Sequence, residues 1–337
     1  MGGNVKIGNQ TADPINIKQI GRYFIQNKLW GIITYIQVIS SVDGNIWSNE
    51  TITKRHVDIF SGSSRHLMDN NIDDDTLLTH KDTFGDIDIQ LPLEKHTQFH
   101  KIIDHLTNNP SFNGVKFIGA KNSTKQIITL WHIEQLNINI QIDFEFVDFV
   151  RNAEDEYLPT KWSTFSHCSA WRDIQCGFKG VFHKMALRAL CAQTLQEHII
   201  LKPNSNFVVE YCTSIAFSVN FGLREKLEDN FTYHREIPKN EWVYYTDVED
   251  IIIRLLSGNK ENKSTTRMPF SKLYDAYSFV GLLNLIDQRL DESGKEKFQQ
   301  GFKKLLFGSG AQRIINDEIV DTKIKIDAIK YMESILS

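Results

Sequence analysis

Apolar and polar positions change their period along the chain, and the period predicts the elements. Residues 15–30, INIKQIGRYFIQNKLW, place apolar side chains at three- and four-residue steps, the spacing of an amphipathic helix. GIITYIQVISSVDGNIWS follows, rich in β-branched and aromatic residues; it suits either a strand or a buried continuation of that helix. Residues 84–91 predict a strand, and HTQFHKIIDHLTNN (96–109) a helix closed by Pro110. GVKFIGAK and QIITLWHIEQL flank the turn-forming Lys121-Asn122-Ser123-Thr124, which predicts a hairpin. The longest strand pattern is NINIQIDFEFVDF, residues 137–149. Past about residue 150 the pattern turns helical, in DIQCGFKGVFHKMALRALCAQTLQEHII, TDVEDIIIRLLSG, AYSFVGLLNLIDQRL, GKEKFQQGFKKLLFG and KIDAIKYMESILS. One strand-like piece, NFVVEYCTSIAFSVNF, interrupts it. The pattern predicts an α/β half followed by a mainly helical half, divided near RNAEDEYLPT.

Composition narrows the class without naming a chemistry. A chain of 337 residues suits two domains, and 41% apolar with 24% charged residues is ordinary for a globular protein. The net charge of −4 disfavours a whole-surface grip on nucleic acid. No apolar run is long enough to span a bilayer, and MGGNVKIGNQ has no signal-peptide core. Gly2 is followed by Lys6 where a myristoylation signal wants Ser or Thr. The expectation is a soluble cytoplasmic protein with no membrane partner. Cys168, Cys176, Cys191 and Cys212 read as reduced thiols. His167, Cys168, Cys176 and His183 lie near one another in sequence but lack the Cys-x2-Cys and His-x3-His spacings of zinc sites.

The chemistry sits in DTFGDIDIQL (82–91). On a strand, Asp86 and Asp88 share one face while Ile87 and Ile89 share the other. Two carboxylates that close repel unless a cation lies between them, and oxygen ligands suit Mg²⁺ or Mn²⁺. In residues 137–149, Ile138, Ile140, Ile142, Phe144 and Phe146 face one way, and Asn139, Gln141, Asp143 and Glu145 the other. If the two strands are neighbours, Asp143 completes a three-carboxylate cluster able to hold two divalent ions. Taken alone, either strand also reads as half-solvated, with its acids in water. Upstream, FSGSSRHL (60–67) supplies Gly62 and Ser63 in a turn that opens a helix, with Arg65 beside it; such a turn suits a phosphate or merely starts a helix.

Gly62-Ser63, then GDIDI with Asp86 and Asp88, then IQIDF with Asp143, resemble in kind and order the signature of the polymerase-beta-like nucleotidyltransferase superfamily. The resemblance covers roughly residues 55–150, and the chain as a whole is similar to nucleotidyltransferases of tailed phages. It implies an α+β fold, with a nucleotidyltransferase-type mixed sheet and flanking helices over residues 1–155 and a mainly helical domain over 156–337, and a metal-dependent transfer of NMP from an NTP to a hydroxyl, with release of pyrophosphate. By that resemblance Asp86 and Asp88 would ligate both Mg²⁺ (or Mn²⁺) ions and Asp143 one, with Glu145 in reserve. Gly62, Ser63, Ser64 and Arg65 would take the phosphates. The helical half would close over the nucleotide, and GFKGVFHKMALRAL offers Lys179, with Lys184 and Arg188 four apart on one face; a plain solvated face is the other reading.

Ser63 and Asp86 are separated by twenty-two residues, more than the superfamily usually shows. The excess, DNNIDDDTLLTHKD, puts Asp69, Asn71 and Asp73 at calcium-loop positions, but Asp74 replaces the required Gly and His80 the bidentate Glu. It therefore reads as a solvated insertion near the site mouth. Trp162, His167 and Trp171 read as core or interface packing residues, with base stacking as the other use. The alternative to an active transferase is a catalytically idle relative that binds nucleotide or a protein; a third reading is a carboxylate-metal phosphohydrolase. The acceptor stays open: an RNA 3′ end, a protein hydroxyl, a small molecule or a second nucleotide.

Overall fold

A computed structural model describes residues 5–122, 126–194, 199–201, 209–218, 222–229, 242–245, 248–256, 274–307 and 322–337. The chain divides into two compact units, Met1–Gly177 and Phe178–Ser337. The strand Tyr157–Pro159, paired with Phe149–Arg151, and the helices Lys161–His167 and Trp171–Gln175 thus fall in the first unit, beyond the expected division at residue 155.

A five-stranded mixed sheet organises the first unit, in the order Ile87–Pro92, Ile138–Val147, Gln126–Ile133, Val115–Asn122, Ser111–Phe112. The first two strands run parallel and the other neighbours antiparallel. The predicted hairpin is present; its tip, 123–125, lies outside the described residues. Ile87, Ile89 and Leu91 join Ile140, Ile142, Phe144 and Phe146 in one core cluster with helices Arg22–Ser40 and His96–Asn108. The period-2 isoleucines are the sheet's share of that core, and Ile25, Leu29, Ile32, Ile33 and Ile36 the helix's.

Those helical steps settle the ambiguous segment after residue 30. It is helix as far as Ser40, because burying one apolar stripe outweighs the strand preference of its β-branched residues. The expected helix start at 15 is instead a short strand, Ile15–Asn16, paired with Thr83–Phe84. Asn16 Oδ1 then accepts the N–H groups of Lys18 and Gln19 and starts the helix Ile17–Ile20.

The insertion differs from its expectation as well. Arg22, 6% exposed, reaches from its helix to the carbonyls of His66 (3.0 Å), Leu67 (2.9 Å), Asp69 (2.6 Å) and Ile72, and to Asp74 Oδ1 (2.9 Å). Asp73 caps the helix Asp74–His80 through Thr76 N–H, and Leu77 is fully buried. Five acceptors on one guanidinium and one core leucine make this segment a folded part of the unit rather than a solvated loop.

The second unit is mainly helical, with Gly180–Thr194, Val248–Leu256, Phe279–Arg289, Glu292–Phe307 and Thr322–Ile335. Phe182, Phe279, Phe298, Phe302 and Met332 are fully buried there. The single strand-like piece belongs to a four-stranded antiparallel sheet: Ile199–Leu201, Val209–Ser218, Gly222–Asp229, Trp242–Tyr245. In Gly222–Asp229 the run Arg-Glu-Lys hides the strand period from a hydrophobicity reading. Parts of that expected strand, 206–208 and 219–221, lie outside the described residues. No described helix is long and apolar enough to cross a membrane.

Candidate functional site

Parallel pairing of Ile87–Pro92 with Ile138–Val147 puts Asp88 directly opposite Asp143. Asp86 sits at the entry to the same strand, one residue before Ile87. One carboxylate oxygen from each of Asp86, Asp88 and Asp143 can be chosen so that all lie within 4.8 Å of one another. Among the described residues this is the only group of three or more His, Cys, Asp or Glu so arranged. His167, Cys168, Cys176 and His183 form no such group. Cys176 is exposed, and His183 is buried with its Nε2 on the carbonyl of Ala276 at 2.7 Å.

The acidic face is unevenly covered: Gln141 is 5% and Asp143 8% exposed, while Asp86, Asp88 and Glu145 are half-buried. Burial, then the negative charge of Asp86, raises the Asp143 carboxyl from 3.8 to about 7; Glu145 adds to the rise and the Gln141 hydrogen bond opposes it. Gln141 Nε2 donates to Asp143 Oδ1 at 2.8 Å. A cluster of one buried and two half-buried carboxylates has a donor set of hard oxygens and an excess of negative charge that a divalent cation would neutralise, so the residues present fit Mg²⁺ or Mn²⁺.

The Gly-Ser turn lies against this cluster. Gly62 has φ +55°, and a Cβ there would stand 2.0 Å from Asp88 Oδ2. Only glycine combines that backbone with that approach. The fully buried Ser64 donates from Oγ to the Asp86 carbonyl (3.4 Å) and accepts the Asp88 N–H (3.0 Å). Ser61 N–H donates to the Asp88 carbonyl (3.1 Å), and Ser61 Oγ to Glu145 Oε2 (2.8 Å). Glu145, the reserve ligand, therefore anchors the turn, while Asp143 joins the acid pair.

The turn is held from its other side too. Gly62 N–H donates to the His167 carbonyl and Gly62 carbonyl accepts the Ser169 N–H, each at 3.0 Å. His66 Nε2 meets the Ser169 carbonyl at 2.6 Å, and Trp171 packs on the rings of His66 (5.2 Å) and His80 (5.8 Å). Trp162 is 5% exposed, so both tryptophans serve in packing. Arg65 pairs through Nη2 with Asp58, its Nη1 is buried, and the guanidinium also lies against the Cys168 thiol. Ser63 is half-buried and makes no capping bond with its side chain. Of the turn residues expected to meet phosphate, Ser64 thus spends its hydroxyl on the aspartate strand, and Gly62 its N–H on residue 167.

Lys179, Lys184 and Arg188 belong to the second unit, Lys179 exposed and the other two half-buried on the helix Gly180–Thr194. Sequence reasoning missed Gln141, Ser61 and the 167–169 segment. Gln141 had a signal, since alternation puts it on Asp143's face; the other two had none, because their partners are distant in the chain. No protein-family model matches the chain, and neither a curated protein nor a solved structure matches it.

Proposed function

We propose that the first unit is the catalytic domain of a metal-dependent nucleotidyltransferase of the polymerase-beta-like type, moving an NMP from an NTP to a hydroxyl acceptor. The observation that carries this reading is the juxtaposition of the three carboxylates with a positive-φ Gly-Ser turn backed directly onto Asp88. Bound Mg²⁺ or Mn²⁺ would neutralise charge on the transferring phosphoryl group and raise the acidity of the acceptor hydroxyl. Asp86, Asp88 and Asp143 would hold the ions. Ser63 is the turn donor left for the phosphates; Arg65, held by Asp58 with its Nη1 buried, would act on them through its charge. The acceptor oxygen would bond to the α-phosphorus as the bridging P–O bond breaks. Pyrophosphate leaves, and the acceptor's proton passes to solvent. Positioning by this rigid frame is the protein's own contribution.

The test is pyrophosphate release from ATP, CTP, GTP or UTP with Mg²⁺, in the full chain and in Asp86→Ala and Asp88→Ala. Release in the wild type and loss of about 10³-fold or more in both variants is expected, the scale of removing a principal electrostatic group. A second reading, an idle relative that binds nucleotide, draws on the engaged Gly62 N–H and the Arg65–Asp58 pair. Metal-dependent NTP binding without turnover would favour it, and absence of both binding and release would refute each.

A further inference from the structure

The Gln141 amide is used at both ends. Its Nε2 donates to Asp143 Oδ1 at 2.8 Å, and its Oε1 accepts the main-chain N–H of Val5 at 3.0 Å. The neighbouring main chain is fixed as well. Asp13 N–H donates to the Asn139 carbonyl (2.7 Å), Asn139 N–H to Asp13 Oδ2 (2.8 Å), and Asn139 Nδ2 to the Thr11 carbonyl (3.2 Å). Turning the amide over would set Nε2 against the Val5 N–H and Oε1 against a carboxylate. Donor would then face donor, and acceptor would face acceptor. The N-terminal segment therefore dictates which end of Gln141 faces Asp143.

We infer that Gln141 is a positioning residue for Asp143: it holds Oδ1 and leaves Oδ2 as the single oxygen offered to a cation. The inference rests on the metal-dependent reading above and deepens it. Mg²⁺ wants near-ideal octahedral geometry, which one-oxygen ligation by a clamped carboxylate serves better than a freely turning one. Partners behind a metal ligand orient it, and their loss typically weakens metal binding about 10- to 100-fold. The ion that depends on Asp143 should loosen, while binding that needs only Asp86 and Asp88 persists.

The experiment is a Mn²⁺ titration of the full chain followed by electron paramagnetic resonance, with circular dichroism as a check of folding. The proteins are wild type, Gln141→Leu, Gln141→Glu, Asp143→Asn and the Asp143→Asn/Gln141→Leu double variant. The expected result is a loss of about tenfold or more in the weaker Mn²⁺ affinity for both Gln141 variants. In the Asp143→Asn background Gln141→Leu should add nothing, which a merely structural role would not produce. Should Gln141→Leu fail to fold, Gln141→Glu keeps the shape and exchanges the donor for an acceptor, so it carries the test. Affinities within about twofold of wild type in the folded variants, or an equal further loss in the Asp143→Asn background, would overturn the clamp alone. A wild type that binds no Mn²⁺ would remove the transferase reading and the clamp together.

Discussion

Asp143→Asn should make the metal-free protein more stable at pH 8 while abolishing nucleotidyl transfer. The folded protein holds the Asp143 carboxyl at about 7 against 3.8 for an unconstrained one, mainly through burial and then through Asp86. That is about 3 units, and each unit is worth about 1.36 kcal/mol, so the ionised side chain costs the ion-free fold up to about 4 kcal/mol. The direction follows from proton binding. The folded state holds this proton more tightly than the unfolded state does. Its contribution is complete below about pH 4, declines through the window up to about pH 7, and is absent above. Asparagine does not titrate, and its Oδ1 can still accept from Gln141 Nε2. Thermal unfolding in EDTA at pH 5, 6, 7 and 8 is the assay. The variant's advantage should grow with pH and level off near pH 8, at no more than roughly 16 °C for a unit of this size. Added Mg²⁺ should raise the wild type more than the variant, which keeps only the binding that Asp86 and Asp88 provide. A variant less stable than wild type at pH 8 in EDTA, or an advantage independent of pH, would refute the account of a buried, charge-crowded carboxylate.

Gly62→Ala places a methyl group 2.0 Å from Asp88 Oδ2 on a backbone at φ +55°; a loss of about 2–4 kcal/mol is expected from strain and overpacking. Urea unfolding measures it, and a loss under 0.5 kcal/mol would show that the turn moves away from Asp88 at little cost. Arg22→Ala strips the carbonyls of His66, Asp69 and Ile72 of their guanidinium donor, and should cost about 3 kcal/mol or more. Its signature is local: limited proteolysis should speed up across residues 66–80 before the rest of the unit opens.

The division of labour between sequence and fold can be followed residue by residue. Alternation in residues 84–91 and 137–149 put Asp86 with Asp88, and Gln141 with Asp143 and Glu145, on polar faces, because side-chain direction on a strand is a local property. The helix His96–Asn108 and the hairpin Val115–Asn122 with Gln126–Ile133 were legible for the same reason. Segments whose local preference competed with burial were harder. The isoleucine-rich run ending at Ser40 became helix because its stripe matched a core, and the charged strand Gly222–Asp229 carried no readable period.

Whether Asp143 meets Asp86 and Asp88 was beyond any local pattern. It depends on a parallel pairing between strands separated by the helix and the hairpin, and on a register that sets 88 opposite 143. The close approach of Gly62 to Asp88, the grip of Arg22 on residues 66–74, and the Val5–Gln141–Asp143 chain are likewise contacts between distant segments. The amino-acid sequence by itself therefore determined the elements and the faces on which the acids lie. Only the tertiary structure decided that those faces converge, since strand order and register are chosen by burial of the whole core and not by any stretch of chain alone.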